Sequence, residues 1–93
     1  MKASLSQFAT FAYGIKTRED ITSLVVTDEY EDDHLQCADV TINGLDFQFM
    51  CYDNLGFLEY WNDSDKAFEV LKDAIRYQVD MMIEDQPDMS FRG

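Results

Sequence analysis

The chain has 93 residues, with 19 Asp or Glu against 7 Lys or Arg, and a formal net charge of −12 at pH 7. This charge argues against direct binding to DNA, RNA or an anionic membrane, because each of these would repel the protein. Hydrophobic residues make up 46% of the chain, which is enough to fold residues 1–93 as a single domain. The sequence has neither an apolar run long enough to span a membrane nor an apolar signal segment near its start, so we expect a soluble, cytoplasmic protein.

A short N-terminal helix is predicted over residues 4–13. Its apolar residues recur at the helical spacings i, i+3, i+4 and i+7: Leu5, Phe8, Ala9 and Ala12. Ser4 or Ser6 is expected to cap the start of this helix, and Gly14 is expected to end it in the left-handed conformation that glycine tolerates.

Residues 21–27 (ITSLVVT) are rich in β-branched residues and predict the first strand. The next segment, DEYEDDH at 28–34, interrupts any apolar pattern. We therefore expect 28–34 to be an exposed connection that leads to the second strand.

The dipeptide Asn43-Gly44 predicts a two-residue type I′ hairpin turn, because both positions tolerate a positive φ. It joins strands predicted at 36–42 and 45–52. The register that follows places three apolar pairs on one face: Ile42 with Leu45, Val40 with Phe47, and Ala38 with Phe49. The opposite face is mostly polar and carries three further pairs: Thr41 with Asp46, Asp39 with Gln48, and Cys37 with Met50.

The same register places Cys51 opposite Gln36 on the apolar face, while Cys37 points to the other face. Side chains on opposite faces of a sheet cannot form a disulfide without a change in the backbone. We therefore expect two free thiols, as is usual in a reducing compartment.

The last third of the chain predicts a long helix. Residues 53–63 fit either a short edge strand or an irregular loop, but from about 64 to 86 the apolar residues recur at helical spacing: Phe68, Leu71, Ile75, Val79 and Met82. Asp63 or Ser64 is expected to cap this helix and Pro87 to end it.

These elements predict an α+β fold. A short N-terminal helix precedes a three-stranded antiparallel meander, and the long amphipathic C-terminal helix packs on the apolar face of the sheet. A short tail at 87–93 follows the last helix. The other face of the sheet is expected to remain open to water.

No arrangement of residues in the sequence indicates catalysis or a metal site. His34 is the only histidine, and no positioned serine or cysteine nucleophile lies near it in sequence. The acidic residues of 28–33 lack the central glycine of a calcium-binding EF-hand loop, and the two cysteines lack the spacing of a zinc site. We therefore expect a protein that is not an enzyme and has no cofactor or metal.

The most informative feature is a middle segment of one charge sign. Between Glu19 and Asp65 there are thirteen acidic residues and no Lys or Arg. Unopposed like charge destabilises a compact protein, so its retention favours a functional use. The predicted C-terminal helix, in contrast, mixes both signs and includes an Arg76–Asp80 pair one turn apart.

A surface of this charge fits a strongly basic partner, above all a protein that binds nucleic acid. In size and charge the chain is similar to the small acidic inhibitors that phages and mobile genetic elements make against host restriction, CRISPR and repair enzymes. The leading hypothesis is a non-enzymatic inhibitor, a DNA mimic with anti-restriction or anti-CRISPR activity, acting in a bacterial host cell if a phage encodes it. The alternatives are an immunity protein or antitoxin that neutralises one dedicated nuclease, and an acidic structural or assembly protein whose charge only keeps it soluble.

The predicted binding surface starts from Asp39 and Asp46, which are diagonal neighbours on the polar face of the predicted sheet. The acidic residues of 28–33 and 53–63 are expected to extend this pair into a band, with exposed aromatic residues as anchors. The predicted partner-binding residues are Asp28, Glu29, Tyr30, Glu31, Asp32, Asp33, Asp39, Asp46, Asp53, Glu59, Tyr60, Trp61 and Asp63. The protein is expected to act as a monomer or a homodimer.

Overall fold

The structure is a computed structural model in which residues 3–85 are described, except for the side chain of Cys51. The elements in chain order are α1 (Leu5–Gly14), a 3-10 turn (Arg18–Asp20), β1 (Leu24–Asp32), β2 (Leu35–Ile42), β3 (Leu45–Tyr52), α2 (Phe57–Tyr60) and α3 (Asp65–Asp85). The strands form one antiparallel sheet in the order β1-β2-β3, and α3 packs on it. The predicted α+β fold is confirmed. The predicted helix end at Pro87 and the tail at 87–93 lie outside the described residues.

The core lies between the helices and one face of the sheet, which we call the inner face. Its fully buried side chains come from both layers: Val40, Ile42 and Phe49 from the sheet, and Leu71, Ile75 and Val79 from α3. Near the hairpin turn the strands pair as predicted: Ile42 with Leu45, Val40 with Phe47, and Ala38 with Phe49. Both turn residues have a positive φ, 50° for Asn43 and 82° for Gly44.

α1 begins with a capping box at Ser4. The Ser4 hydroxyl accepts a hydrogen bond from the Gln7 amide (3.3 Å), and the Gln7 side-chain oxygen accepts one from the Ser4 amide (2.8 Å). The expected left-handed end at Gly14 is wrong, because the helix includes Gly14 and continues into extended backbone at Ile15 (φ −72°, ψ 120°).

The end of α1 is capped from α3 instead. The Arg76 guanidinium donates to the carbonyl oxygens of Ala12 (2.9 Å) and Ile15 (3.1 Å), and so pairs carbonyl groups that the end of a helix leaves free. The predicted Arg76–Asp80 ion pair is not formed. Asp80 accepts a hydrogen bond from the Tyr13 hydroxyl, and this bond raises the pKa of Tyr13.

The exposed connection predicted at 28–34 is wrong, because most of this segment belongs to β1. The strand begins three residues later than predicted and continues to Asp32. Asp33 and His34 alone form the turn to β2, and both have a positive φ, 57° and 71°.

A β-bulge at Thr27 explains why the apolar pattern stops before the strand does. Val26 pairs with Val40, but the next pair is Asp28 with Asp39, so Thr27 is an extra residue without a partner. Its hydroxyl donates to the Asp39 carbonyl oxygen (3.0 Å). Beyond the bulge, every residue of β1 faces the side opposite to the one that uninterrupted alternation would give it.

β3 contains a second bulge near its end. Beyond Phe49 the register shifts, and Gln36 pairs with Tyr52, so the expected pairing of Gln36 with Cys51 is wrong. The shift turns the Tyr52 ring toward the core, with its centroid 6.1 Å from that of Phe49 and 5.5 Å from that of Phe57. Burial raises the pKa of the Tyr52 hydroxyl.

Residues 53–63 do not form the edge strand considered from the sequence and are largely the irregular segment that was the alternative. They contain the one-turn helix α2, whose Phe57 and Leu58 are buried in the core. This helix therefore joins the layer that covers the inner face. α3 starts directly after Ser64, whose hydroxyl accepts a hydrogen bond from the Ala67 amide (3.2 Å), as one of the two predicted caps requires.

Asn43 fastens the segment before β1 to the hairpin turn. Its side-chain oxygen accepts hydrogen bonds from the amides of Thr22 (2.9 Å) and Ser23 (3.2 Å), and its side-chain nitrogen donates to the Asp20 carbonyl oxygen (2.9 Å). The Asp20 carboxylate accepts two more backbone hydrogen bonds, from the two residues that precede the 3-10 turn. These two bonds hold the pKa of Asp20 below its ordinary value.

Replacing Asn43 with glycine is expected to lower the free energy of unfolding by about 1–3 kcal/mol. Glycine tolerates the positive φ that the turn requires, so the loss reports the three side-chain hydrogen bonds together with the greater backbone entropy of glycine in the unfolded chain, and not a change of turn. Urea denaturation of the wild type and Asn43→Gly measures the difference. Equal stability of the two proteins would contradict this role for Asn43.

Candidate functional site

On the face of the sheet opposite the core, which we call the outer face, most side chains are exposed within residues 3–85. Alternation along the strands assigns these residues to it: Val25, Asp28, Tyr30 and Asp32 of β1, Leu35, Cys37, Asp39 and Thr41 of β2, and Asp46, Gln48 and Met50 of β3. Val25 is 56% exposed and Met50 is 45% exposed, although both are apolar. The outer face is therefore a free surface that mixes carboxylates with apolar and aromatic side chains.

Three carboxylates form a row across the outer face. Asp28 on β1 is directly opposite Asp39 on β2, and Asp46 on β3 is opposite Thr41, which makes it a diagonal neighbour of Asp39 as predicted. Directly opposite side chains have Cβ atoms about 4.5–5.5 Å apart, and diagonal neighbours are about 7–8 Å apart. The Thr41 hydroxyl donates to the Asp46 carboxylate (2.9 Å). Each strand thus contributes one carboxylate to the row.

No basic side chain neutralises this row in the part of the chain that is described. The ion pairs found there are Arg18 with Asp65 and Lys72 with Glu69. Of the thirteen acidic residues between Glu19 and Asp65, only Asp65 therefore has a basic partner within that range of the structure. Because like charges placed opposite each other destabilise a sheet, the row lowers the stability of the fold.

Tyr30 is held across the middle of the outer face. It lies directly opposite Cys37 on β2, and its hydroxyl accepts a hydrogen bond from the side-chain amide of Gln48 on β3 (3.1 Å). To reach from β1 to β3 the phenol ring has to pass over Cys37, and this explains why Cys37, a free thiol as predicted, is buried on a mostly exposed face. Tyr30 is itself 38% exposed. Its ring therefore offers a fixed aromatic surface between Asp28 and Asp32.

Other predicted residues of β1 lie away from the outer face. Glu29 pairs with Ala38 and Glu31 pairs with Gln36, so both point to the inner side of the sheet. They are nevertheless exposed, and the helices therefore leave this end of β1 uncovered. Asp33 is in the turn between β1 and β2 and is exposed as well.

The remaining predicted residues belong to the helical side or to the end of the sheet. Asp53 follows β3 and lies at the same end of the sheet as the β1–β2 turn. Glu59, Tyr60 and Asp63 are exposed on α2 and the turn after it. Trp61 packs partly against the core, and its carbonyl oxygen accepts a hydrogen bond from Arg18 (3.2 Å).

The structure thus brings Asp28, Tyr30, Asp32, Asp39 and Asp46 together on the outer face and separates the other predicted residues from them. Gln48, which fixes the Tyr30 ring, was not among the predicted residues. The pattern offered no indication of this contact, because it depends on the register of β1 beyond its bulge.

The described residues contain no group of three or more His, Cys, Asp or Glu side chains arranged to hold a metal ion. None of the helices within 3–85 is both long and apolar enough to cross a membrane. Comparisons with protein families, curated proteins and solved structures found no match to the chain. The outer face therefore has to be interpreted from its own geometry and charge.

Neutralising Asp28 is expected to stabilise the protein. Asp28→Asn removes the like charge opposite Asp39, and we expect the free energy of unfolding to rise by about 0.2–1 kcal/mol at low ionic strength. The gain should shrink in 0.5 M NaCl, because salt screens exposed charges. Chemical denaturation at both salt concentrations measures this gain in the free energy of unfolding. The control is Asp65→Asn, which removes the partner of Arg18 and should not stabilise the protein. A gain independent of salt would contradict the electrostatic origin.

Removing the Tyr30 ring is expected to expose Cys37. The thiol of the wild type should react slowly with iodoacetamide because the ring covers it, whereas Tyr30→Ala should speed alkylation of the Cys37 peptide by at least about tenfold. Tyr30→Phe keeps the ring, and its rate should remain close to that of the wild type. Mass spectrometry of proteolytic peptides assigns the rate to Cys37. Equal rates in Tyr30→Ala and the wild type would mean that another group buries the thiol.

Proposed function

We propose that this protein is a non-enzymatic inhibitor that binds a basic nucleic-acid-binding protein through the outer face of its sheet, in place of nucleic acid. The observation that carries the proposal is the row of Asp28, Asp39 and Asp46, which lies on a mostly exposed face without a basic neighbour in the described chain. A chain that only needed solubility would gain stability by interspersing Lys or Arg among these positions. That the chain keeps this repulsion between carboxylates supports a function for the negative electric field that they create.

The scaffold suits the imitation of a phosphate backbone. Arg and Lys side chains that bind phosphates also bind carboxylates, through the same charge-assisted hydrogen bonds. The carboxylates of the row are short side chains on hydrogen-bonded strands, so little conformational entropy is lost when a partner orders them. Complementary charge of this kind mainly accelerates association and selects partners by sign.

Tyr30 supplies an apolar contact surface, which the carboxylates do not offer. A partner that displaces water from the row gains apolar contact with the Tyr30 ring and with the neighbouring Met50, both of which are exposed. Fixed aromatic side chains are common anchors of protein interfaces, and an Arg of the partner can also stack on the ring. We expect the carboxylates to speed association with the partner and Tyr30 to slow dissociation.

An immunity protein or antitoxin against one dedicated nuclease would use the same face with the same chemistry. It differs from a general inhibitor of host defence in the identity of its partner and not in the geometry of its site. A toxin gene beside the gene for this protein would favour the dedicated form, and phage genes would favour the general one.

Neutralising the row is expected to abolish partner binding, whereas the same change of charge elsewhere is not. The test variant is Asp28→Asn, Asp39→Asn, Asp46→Asn, and its matched control is Asp73→Asn, Glu84→Gln, Asp85→Asn on the exposed side of α3. Both variants lose three negative charges. Affinity capture from a bacterial lysate, followed by mass spectrometry, should enrich nucleic-acid-binding proteins with the wild type and the control but not with the test variant.

Three further observations decide the outcome. Duplex DNA should compete with the wild type for the captured protein, and capture should weaken as salt rises. For the purified captured protein, the test variant should associate at least about tenfold more slowly than the control at low salt. Equal association rates for the two variants, or capture that DNA does not affect, would refute nucleic-acid mimicry by the outer face.

A further inference from the structure

We propose that the open edge of β1 binds an extended, Lys/Arg-rich segment of the partner as a fourth strand of the sheet. The inference rests on the proposed function, because it takes its basic partner from there, and it adds the segment by which that partner is held. The site differs from the outer face, since it consists of backbone groups along the edge and of side chains on both sides of the sheet.

β1 is an edge strand, and the backbone N–H and C=O groups along its free edge have no partner among residues 3–85. It is the first strand in the order β1-β2-β3, and β2 is its principal neighbour. In an antiparallel sheet, alternate residues of an edge strand point their N–H and C=O groups outward, where an added strand can pair with them. After the bulge, the run from Asp28 to Asp32 pairs with β2 without interruption, so its edge offers five consecutive residues in regular register.

Carboxylates flank this edge on both faces. Asp28 and Asp32 lie on the outer face, Glu29 and Glu31 lie on the inner side, and all four are exposed. Because the helices do not cover this end of β1, an added strand has room for its side chains on both sides. A strand with Lys or Arg opposite these positions would add favourable cross-strand charge pairs to the backbone hydrogen bonds.

The same carboxylates disfavour a second copy of this chain as the occupant. Antiparallel pairing of two β1 edges centred on Tyr30 would place Asp28 opposite Asp32 and Glu29 opposite Glu31 at every charged position. Like charges directly opposite one another destabilise a sheet, and charged residues on an edge are a common device against self-pairing. The edge therefore disfavours its own copies and acidic strands, while a basic strand meets complementary charge.

The other edge of the sheet is less suited to such a segment. β3 has one acidic side chain, Asp46, among its outward-facing residues. Its inner side chains, Phe47 and Phe49, are buried beneath the helices. A basic strand beside β3 would therefore find complementary charge on one face only. Charge complementarity therefore favours the β1 edge over the β3 edge for a basic strand.

The test uses the peptide Thr-Lys-Lys-Val-Lys-Lys-Thr, which presents Lys opposite the four carboxylates in either strand direction. Two further peptides have the same sequence, with N-methyl groups on the even-numbered or on the odd-numbered residues. In an antiparallel pair only alternate residues direct their N–H groups toward the neighbouring strand. One methylated peptide should therefore bind the full-length protein at least about tenfold more weakly than the parent, because it loses several hydrogen bonds, and the other should bind like the parent.

NMR titration of the isotopically labelled protein at low salt gives both the affinities and the site, since the amides of 28–32 should shift and become protected from exchange. Glu29→Gln, Glu31→Gln should weaken binding of the parent peptide several-fold, whereas the control variant Asp73→Asn, Glu84→Gln on the exposed side of α3 should not. Equal binding of both methylated peptides would show charge attraction alone and overturn the fourth-strand inference, as would absence of binding by the parent peptide. Either result leaves the outer-face proposal standing, because that proposal is tested separately, by neutralising Asp28, Asp39 and Asp46 and by competition with DNA.

Discussion

The β-bulge at Thr27 determines which side of the sheet presents the acidic end of β1. If the pairing of Val26 with Val40 continued residue for residue, Asp28 would lie opposite Ala38 on the inner face. The extra residue instead turns Asp28 outward, and with it every second residue that follows. The place of Asp28 in the row of carboxylates and the position of the Tyr30 ring over the sheet both depend on that single insertion.

The structure separates charge by layer. The strands contain no Lys or Arg, and two of the arginines stabilise contacts within the helical layer: Arg76 caps the end of α1, and Arg18 binds both Asp65 and the Trp61 carbonyl oxygen. These guanidinium groups are therefore not available to neutralise the outer face. A fold that keeps like charges opposite each other on one layer, while it pairs charge on the other, resembles the trade of stability for function that is common at binding sites.

The sequence predicted those parts of the structure that local chemistry determines. The turn at Asn43-Gly44 implied the register of β2 and β3, and through it the placement of Asp39 and Asp46. The helical spacing of apolar residues likewise predicted α3. The bulges, α2 and the capping of α1 by Arg76 were not predictable in this way, because each depends on contacts between residues distant in sequence. Tyr30 was therefore recognised as a candidate anchor, whereas Gln48, which fixes it, was not.

The two surfaces of β1 would act on a basic partner through different physical terms. Carboxylates on the exposed outer face act through a field that salt screens within about 10 Å at 0.1 M ionic strength, so their contribution belongs mainly to the rate of encounter. Backbone hydrogen bonds along the edge are short-ranged and need the partner segment in register, so their contribution belongs to the rate of dissociation. Because both surfaces share one strand, a segment paired with the edge would bring its neighbouring residues over Tyr30 and the carboxylate row. Fast capture by charge and slow release by strand pairing would then come from two adjacent surfaces of one strand.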